Sequence, residues 1–262
     1  MNSLLLLGFA AGALISVLTT PVGVSGAVFL LSVQLSILNV PSPAVTPTNL
    51  LFNVIAGPGA LLRYRTGGQL TGRLTRLLLA GTIPGVVIGA AIRVYAVPGP
   101  RLFRLILAVF LLPLGLWLCT HTARPAPAAP GRTNGGLSEP AITALALIVG
   151  IVGGIYGIGG GSILGPVLVG RGVPVAKAAP AALASTFVTS TVGAVTYGLL
   201  SLVTAGDIGP KWSIGVACGL GGLTGGYLGA RLQPRLPEAR LRLLLGILAT
   251  TLALLYLLQA LR

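Results

Sequence analysis

Apolar residues fill this chain in long runs, and polar or turn-forming residues gather in the short stretches between them. Set against turn and charge signals, the runs give ten segments, roughly 4–20, 26–39, 44–62, 76–95, 102–120, 140–156, 161–170, 178–202, 212–230 and 241–261. Most approach the roughly 20 apolar residues that a helix needs to cross a bilayer. Two do not. Segments 26–39 and 161–170 each begin just after a glycine run, Gly23-Val24-Ser25-Gly26 and Gly157-Ile158-Gly159-Gly160-Gly161. The pattern predicts an all-α polytopic membrane protein with about 8–10 transmembrane segments, some of them short and broken at glycine.

Between the fifth and sixth segments, residues 121–138 are rich in Pro, Gly and Ala and offer nothing to pack a core. They read as an extended linker between a first repeat, 1–120, and a second, 139–262. The halves carry the same features in the same order. Pro21 to Ala27 corresponds to Ile155 to Gly161, and Asn39-Val40-Pro41 to Gly172-Val173-Pro174. Asn49, Asn53 and Gly57 then align with Ser185, Thr189 and Gly193, and Gly85 and Gly89 with Gly225 and Gly229. With five segments per half, an odd number, the second half enters the membrane from the opposite side. That is an inverted repeat, a construction used by many transporters.

Composition agrees with a lipid environment. Of 262 residues, 54% are hydrophobic and 8% are charged, where a soluble domain carries about 25% charged residues. The net charge of +14 is spread between the apolar runs and forms no single stripe, which argues against nucleic acid as a partner. Its meaning is topological. Twelve of the 17 Lys and Arg fall in loops that would share one side: Arg63, Arg65, Arg73, Arg76, Arg124, Arg132, Arg171, Lys177, Arg231, Arg235, Arg240 and Arg242. Arg93, Arg101, Arg104, Lys211 and Arg262 would lie opposite. The excess places the first group in the cytoplasm and both termini outside a plasma membrane. The first segment has no cation before Leu4 and no cleavage signal after it, as expected of a retained helix. Cys119 and Cys218 both lie in apolar runs, as buried core thiols do.

Candidate chemistry lies at the two breaks. Non-helical backbone survives in a membrane only where protein or a water-filled cavity surrounds it. A helix that starts at Gly23, Ser25 and Gly26, or at Gly157, Gly159, Gly160, Gly161 and Ser162, presents free N–H groups and the positive end of its dipole. Two such starts meeting near the midplane would hold an anion without a fixed cation. Asn49 and Asn53, four apart, share a helical face, as do Ser185 and Thr189 with Thr186 and Ser190 beside them. These groups can donate hydrogen bonds to an oxyanion and stay neutral. Glycines alone can also serve close helix packing, and Ser, Thr and Asn can tie helices together. The glycines at four-residue spacing, Gly8/Gly12, Gly81/Gly85/Gly89 and Gly225/Gly229, read as packing faces.

Several chemistries find no residues here. Glu139, Asp207 and Glu238 are the acids and His121 the single histidine, all at segment ends or in loops. No cluster suits a metal, no carboxylate pair suits acid–base catalysis, and no acid within a segment suits a proton relay. No cofactor is expected. Gly157 to Ser162 lacks the βαβ setting of a dinucleotide loop. An enzyme is therefore not expected.

Residues 150–166, Gly-Ile-Val-Gly-Gly-Ile-Tyr-Gly-Ile-Gly-Gly-Gly-Ser-Ile-Leu-Gly-Pro, and 182–190, Ala-Leu-Ala-Ser-Thr-Phe-Val-Thr-Ser, resemble the repeat motifs of the sulfite exporter TauE/SafE family. In the first half, Pro21 to Gly26 and Thr48 to Asn53 are the matching stretches, with Pro21 and Ser25 where glycine is more usual. The resemblance covers the whole chain. It implies a transporter of sulfite, thiosulfate or an organosulfonate, with the breaks and polar positions above as substrate-binding residues. Export is favoured by charge, because a monoanion leaving a negative interior needs no coupled ion. A permease or channel for another small anion, working in uptake, stays open, as does association with further copies of the chain.

Overall fold

The computed structural model describes residues 3–65, 70, 72–96, 100–120, 138–203 and 209–261. The linker 121–138, with His121, Arg124 and Arg132, lies outside them except for Ser138, as does Asp207. The described residues form ten α-helices and two short 3-10 turns, with no strand among them. The helices are α1 (Ser3–Thr19), α2 (Ala27–Ser36), α3 (Ser42–Arg65), α4 (Arg73–Tyr95), α5 (Pro100–Thr120), α6 (Glu139–Tyr156), α7 (Gly161–Gly170), α8 (Val175–Val203), α9 (Trp212–Leu232) and α10 (Glu238–Leu261). They follow the ten apolar segments to within a few residues. Among the described residues six are long and apolar enough to cross a membrane. Their outer faces carry large apolar side chains such as Leu14, Ile148 and Leu202, which are 65%, 60% and 81% exposed. That is the pattern of a surface solvated by lipid.

Two helices are short for a stated reason. α2 and α7 have 10 residues each, about 15 Å at 1.5 Å per residue, or half the hydrocarbon thickness. Ahead of them, α1 ends in a 3-10 turn closed by Gly23 at φ 78°. α6 ends on Gly157 at φ 70°, whose N–H returns to the Gly153 carbonyl at 2.8 Å. A residue with a Cβ avoids this left-handed conformation, so glycine marks both stops.

Small residues set the long contacts. Gly81, Gly85 and Gly89 of α4 lie against the carbonyls of Thr143, Leu147 and Ile151, and Cβ atoms there would come within 2.1–2.5 Å of those oxygens. On the other side of the molecule, Gly221, Gly225 and Gly229 of α9 face Phe9, Ala13 and Val17 in the same rising order. The rising registers make α4 parallel to α6 and α9 parallel to α1. The four-residue glycines are thus packing faces, as their spacing suggested. At the centre α3 crosses α8 in the opposite sense, Gly57 meeting Phe187 and Gly193 meeting Leu50. α3 also packs on α9, α8 on α4, and α5 on α10, while α2 lies along α3 and α7 along α8. Arg73 and Glu139, at the starts of α4 and α6, form an exposed ion pair.

Candidate functional site

The first break is held by the helix that follows it. Ser25 donates its hydroxyl proton to Oδ1 of Asn53, and its oxygen accepts the N–H of Ala27 at 3.2 Å. Ser25 thereby caps α2, satisfying one of the amides that a helix start leaves without an internal partner. One turn earlier on α3, Asn49 Nδ2 donates to the Ala27 carbonyl at 2.9 Å. Asn49 and Asn53 are buried on one face of α3, as their spacing requires. Asn49 Oδ1 is buried without a hydrogen-bond partner among the described residues.

The second break is tied to both halves. Asn53 Nδ2 reaches the Gly157 carbonyl at 3.4 Å, and Thr46 Oγ1 donates to the Ile155 carbonyl at 3.2 Å. A Cβ on Gly157 would come within 2.3 Å of the Thr46 carbonyl, and one on Gly23 within 2.4 Å of Ala179 Cα. Each break is therefore packed against the start of the third helix of the other half. Gly160 donates its N–H to Thr189 Oγ1 at 3.4 Å, and that hydroxyl donates in turn to the Ser185 carbonyl at 2.6 Å. Ser185 Oγ lies 3.0 Å from Thr82 Oγ1 of α4. Ser162 turns its hydroxyl back to the Ile158 carbonyl at 2.8 Å, and Gly159 takes φ 71°.

Beside the first break is a cavity of about 30 Å³, above the 10–15 Å³ that a single water needs. Ser25, Gly26 and Asn53 line it from the first half and Thr186 from the second. Ser16 and Thr20 of the α1 end add hydroxyls, Phe52 and Phe187 add aromatic faces, and Gly222 and Gly226 let the wall approach closely. Among the described residues no charged one lines it. Of the sequence candidates, Ser25, Gly26 and Asn53 border this space. Gly23, Asn49, Gly157, Gly159, Gly160, Gly161, Ser162, Ser185 and Thr189 do not, though hydrogen bonds join several of them to residues that do. Ser16, Thr20 and the two phenylalanines were not legible as lining residues, since they come from helices that only the tertiary fold brings together. Thr186 sits beside the Ser185/Thr189 face, and helical spacing does not show that it borders the cavity.

Six apolar helices of crossing length are those of a multi-pass membrane protein. The chain matches the model of the sulfite exporter TauE/SafE family over residues 7–256. It belongs to that family of membrane transporters, as the motifs at 150–166 and 182–190 indicated. No match was found among curated proteins or solved structures.

Proposed function

We propose that the protein carries a small sulfur-containing oxyanion or organosulfonate across the plasma membrane, outward, by alternating access. The observation that carries this reading is the convergence of buried, neutral hydrogen-bonding residues from both halves on a small cavity beside a helix start. An anion there meets the positive end of α2, the Ser25 and Asn53 pair and the Thr186 hydroxyl, and meets no carboxylate. The second helix start, Gly157 to Ser162, is joined to the first through Asn53 and lies behind Thr186, which borders the cavity. Asn49, Ser185 and Thr189 fix the shell through the Ala27 carbonyl, Thr82 and the Gly160 N–H.

The alternation would come from two inverted repeats, 1–120 and 139–262, joined by the linker 121–138. Two features support this. Exchanging α1–α5 with α6–α10 turns the α4/α6 contact into α9/α1 and the α3/α9 contact into α8/α4, all of which occur. It also turns the rows 81, 85, 89 against 143, 147, 151 into 221, 225, 229 against 9, 13, 17. The charge bias of the loops puts the α3–α4, α7–α8 and α9–α10 connections in the cytoplasm and both termini outside. The cavity, bordered by the last turn of α1 and by Ala60 of α3, then belongs to the cytoplasmic half, where an exported anion would enter.

An interior-negative potential favours monoanion exit by ~2.3 kcal/mol per 100 mV. Sulfite, thiosulfate and methanesulfonate flux from loaded proteoliposomes, with a potential imposed by a potassium gradient, tests the reading. Flux should rise as the anion side becomes more negative. Absence of flux with every sulfur anion, or displacement by unrelated carboxylates at equal strength, would reject it.

A further inference from the structure

Four hydroxyls follow one another closely on α8, and the fold treats them in two ways. Ser185 and Thr189 are used up: one meets Thr82 at 3.0 Å, the other accepts from Gly160 and donates to its own helix. Thr186 and Ser190 are 3% and 0% exposed, and their hydroxyl oxygens have no hydrogen-bond partner among the described residues. A buried hydroxyl without a partner is destabilising, and native proteins leave few of them. Both oxygens point at the start of α7. Thr186 Oγ1 lies 2.6 Å from where a Cβ on Gly161 would stand, and Ser190 Oγ lies 3.2 Å from the same point on Gly159. Thr186 also borders the cavity that Ser25 and Asn53 line. It therefore lies beside the glycine turn of the second half and shares the cavity wall with the polar pair of the first.

We infer that the Thr186 hydroxyl is a side-chain donor to the transported anion, bridging the Ser25–Asn53 cavity to the Gly159–Gly161 turn. This deepens the transport reading and rests on it. The donors already available explain why. Ser25 gives its proton to Asn53, Asn53 turns its amide toward Gly157, and the Gly160 N–H is engaged by Thr189. A hydroxyl rotates about its C–O bond and can present its proton to an oxyanion without rearranging anything else. Thr189, one turn on, serves instead to hold the glycine turn through the Gly160 N–H.

The test is exchange of labelled sulfite across proteoliposomes holding the full chain, with KM and maximal rate taken separately. Thr186→Val keeps the shape of the side chain and removes the donor. It should raise KM about tenfold or more, the scale of a lost hydrogen bond to a charged group, with the melting temperature in detergent little changed. Thr186→Ser, which keeps the hydroxyl, should hold KM within about threefold of the parent. If Thr186→Val does not reconstitute, Thr186→Cys, with its weak S–H donor, carries the same expectation of a raised KM. A parent that exchanges sulfite and a donor-less variant with the parent's KM would overturn this assignment and leave the transport reading intact. A parent that exchanges no sulfur anion would instead overturn the transport reading, and the assignment with it.

Discussion

Ser25 and Asn53, 28 positions apart, are joined by a hydroxyl-to-amide hydrogen bond inside the protein. The bond fixes the entry to α2 against the middle of α3. Asn53 in turn reaches the Gly157 carbonyl of the other half, so a single side chain spans the two breaks. Ser25→Ala removes the bond and leaves Asn53 Oδ1 short of a donor in a buried place, and it also strips the cap from Ala27. A loss of about 1–3 kcal/mol in stability is expected, together with slower anion exchange. Comparing Ser25→Ala, Asn53→Ala and the double variant by thermal denaturation in detergent should give a coupling of about 0.5–3 kcal/mol. Strict additivity would show that the two side chains act separately.

The glycines of the second break differ sharply in what surrounds them. A Cβ on Gly161 would come within 1.7 Å of the Ala182 carbonyl oxygen, a backbone atom that cannot step aside, whereas one on Gly198 of α8 would meet none of the described residues within 4 Å. Gly161→Ala should therefore displace α7 from α8 and abolish exchange, with a clear fall in melting temperature. Gly198→Ala should be neutral or stabilising by up to about 1 kcal/mol, the helix-propensity difference. Equal tolerance of the two changes would mean that α7 does not sit as closely on α8 as described.

Hydrophobic spacing alone made the ten helices legible, because a chain that must bury every backbone amide in lipid has few options besides the helix. The two stops were legible too, since Gly23 and Gly157 mark the ends of their preceding helices. The candidate site was half legible. Asn49/Asn53 and Ser185/Thr189 do share helical faces, but a face is a broad arc, and periodicity does not say which hydroxyl in that arc is consumed by a neighbouring helix. Thr82, from a segment with no apparent polar role, takes Ser185; Thr186, one residue on, is left open. Such distinctions depend on which helices cross, and crossing partners are set by glycine rows that pair only in three dimensions.

Those rows give a test of the proposed repeat. Gly85 faces the Leu147 carbonyl and Gly225 the Ala13 carbonyl, with Cβ positions 2.5 and 2.1 Å from the oxygens. If the halves are equivalent seams, Gly85→Ala and Gly225→Ala should each destabilise by about 1–3 kcal/mol, the usual scale of overpacking, and should both slow exchange. Melting and exchange measured on the two variants in parallel would show it. One variant severely damaged beside one unaffected would count against equivalent halves.

Orientation can be read directly with thiols. Arg171, just after α7, and Trp212, at the start of α9, are both exposed, and Trp212 is 66% so. α8, long and apolar enough to cross a membrane, lies between them, so a single crossing would put them on opposite sides. The loop charges assign Arg171 to the cytoplasm and Trp212 to the exterior. The native thiols interfere little: Cys218 is buried, Cys119 is partly so, and both can be changed to alanine as the background. On intact cells, a membrane-impermeant maleimide should modify Trp212→Cys at once and Arg171→Cys only after permeabilisation. The reverse order would invert the protein and place the Ser25–Asn53 cavity on the outer half, turning the expected direction of transport from export to uptake. Modification of both from outside would mean that α8 does not span the bilayer.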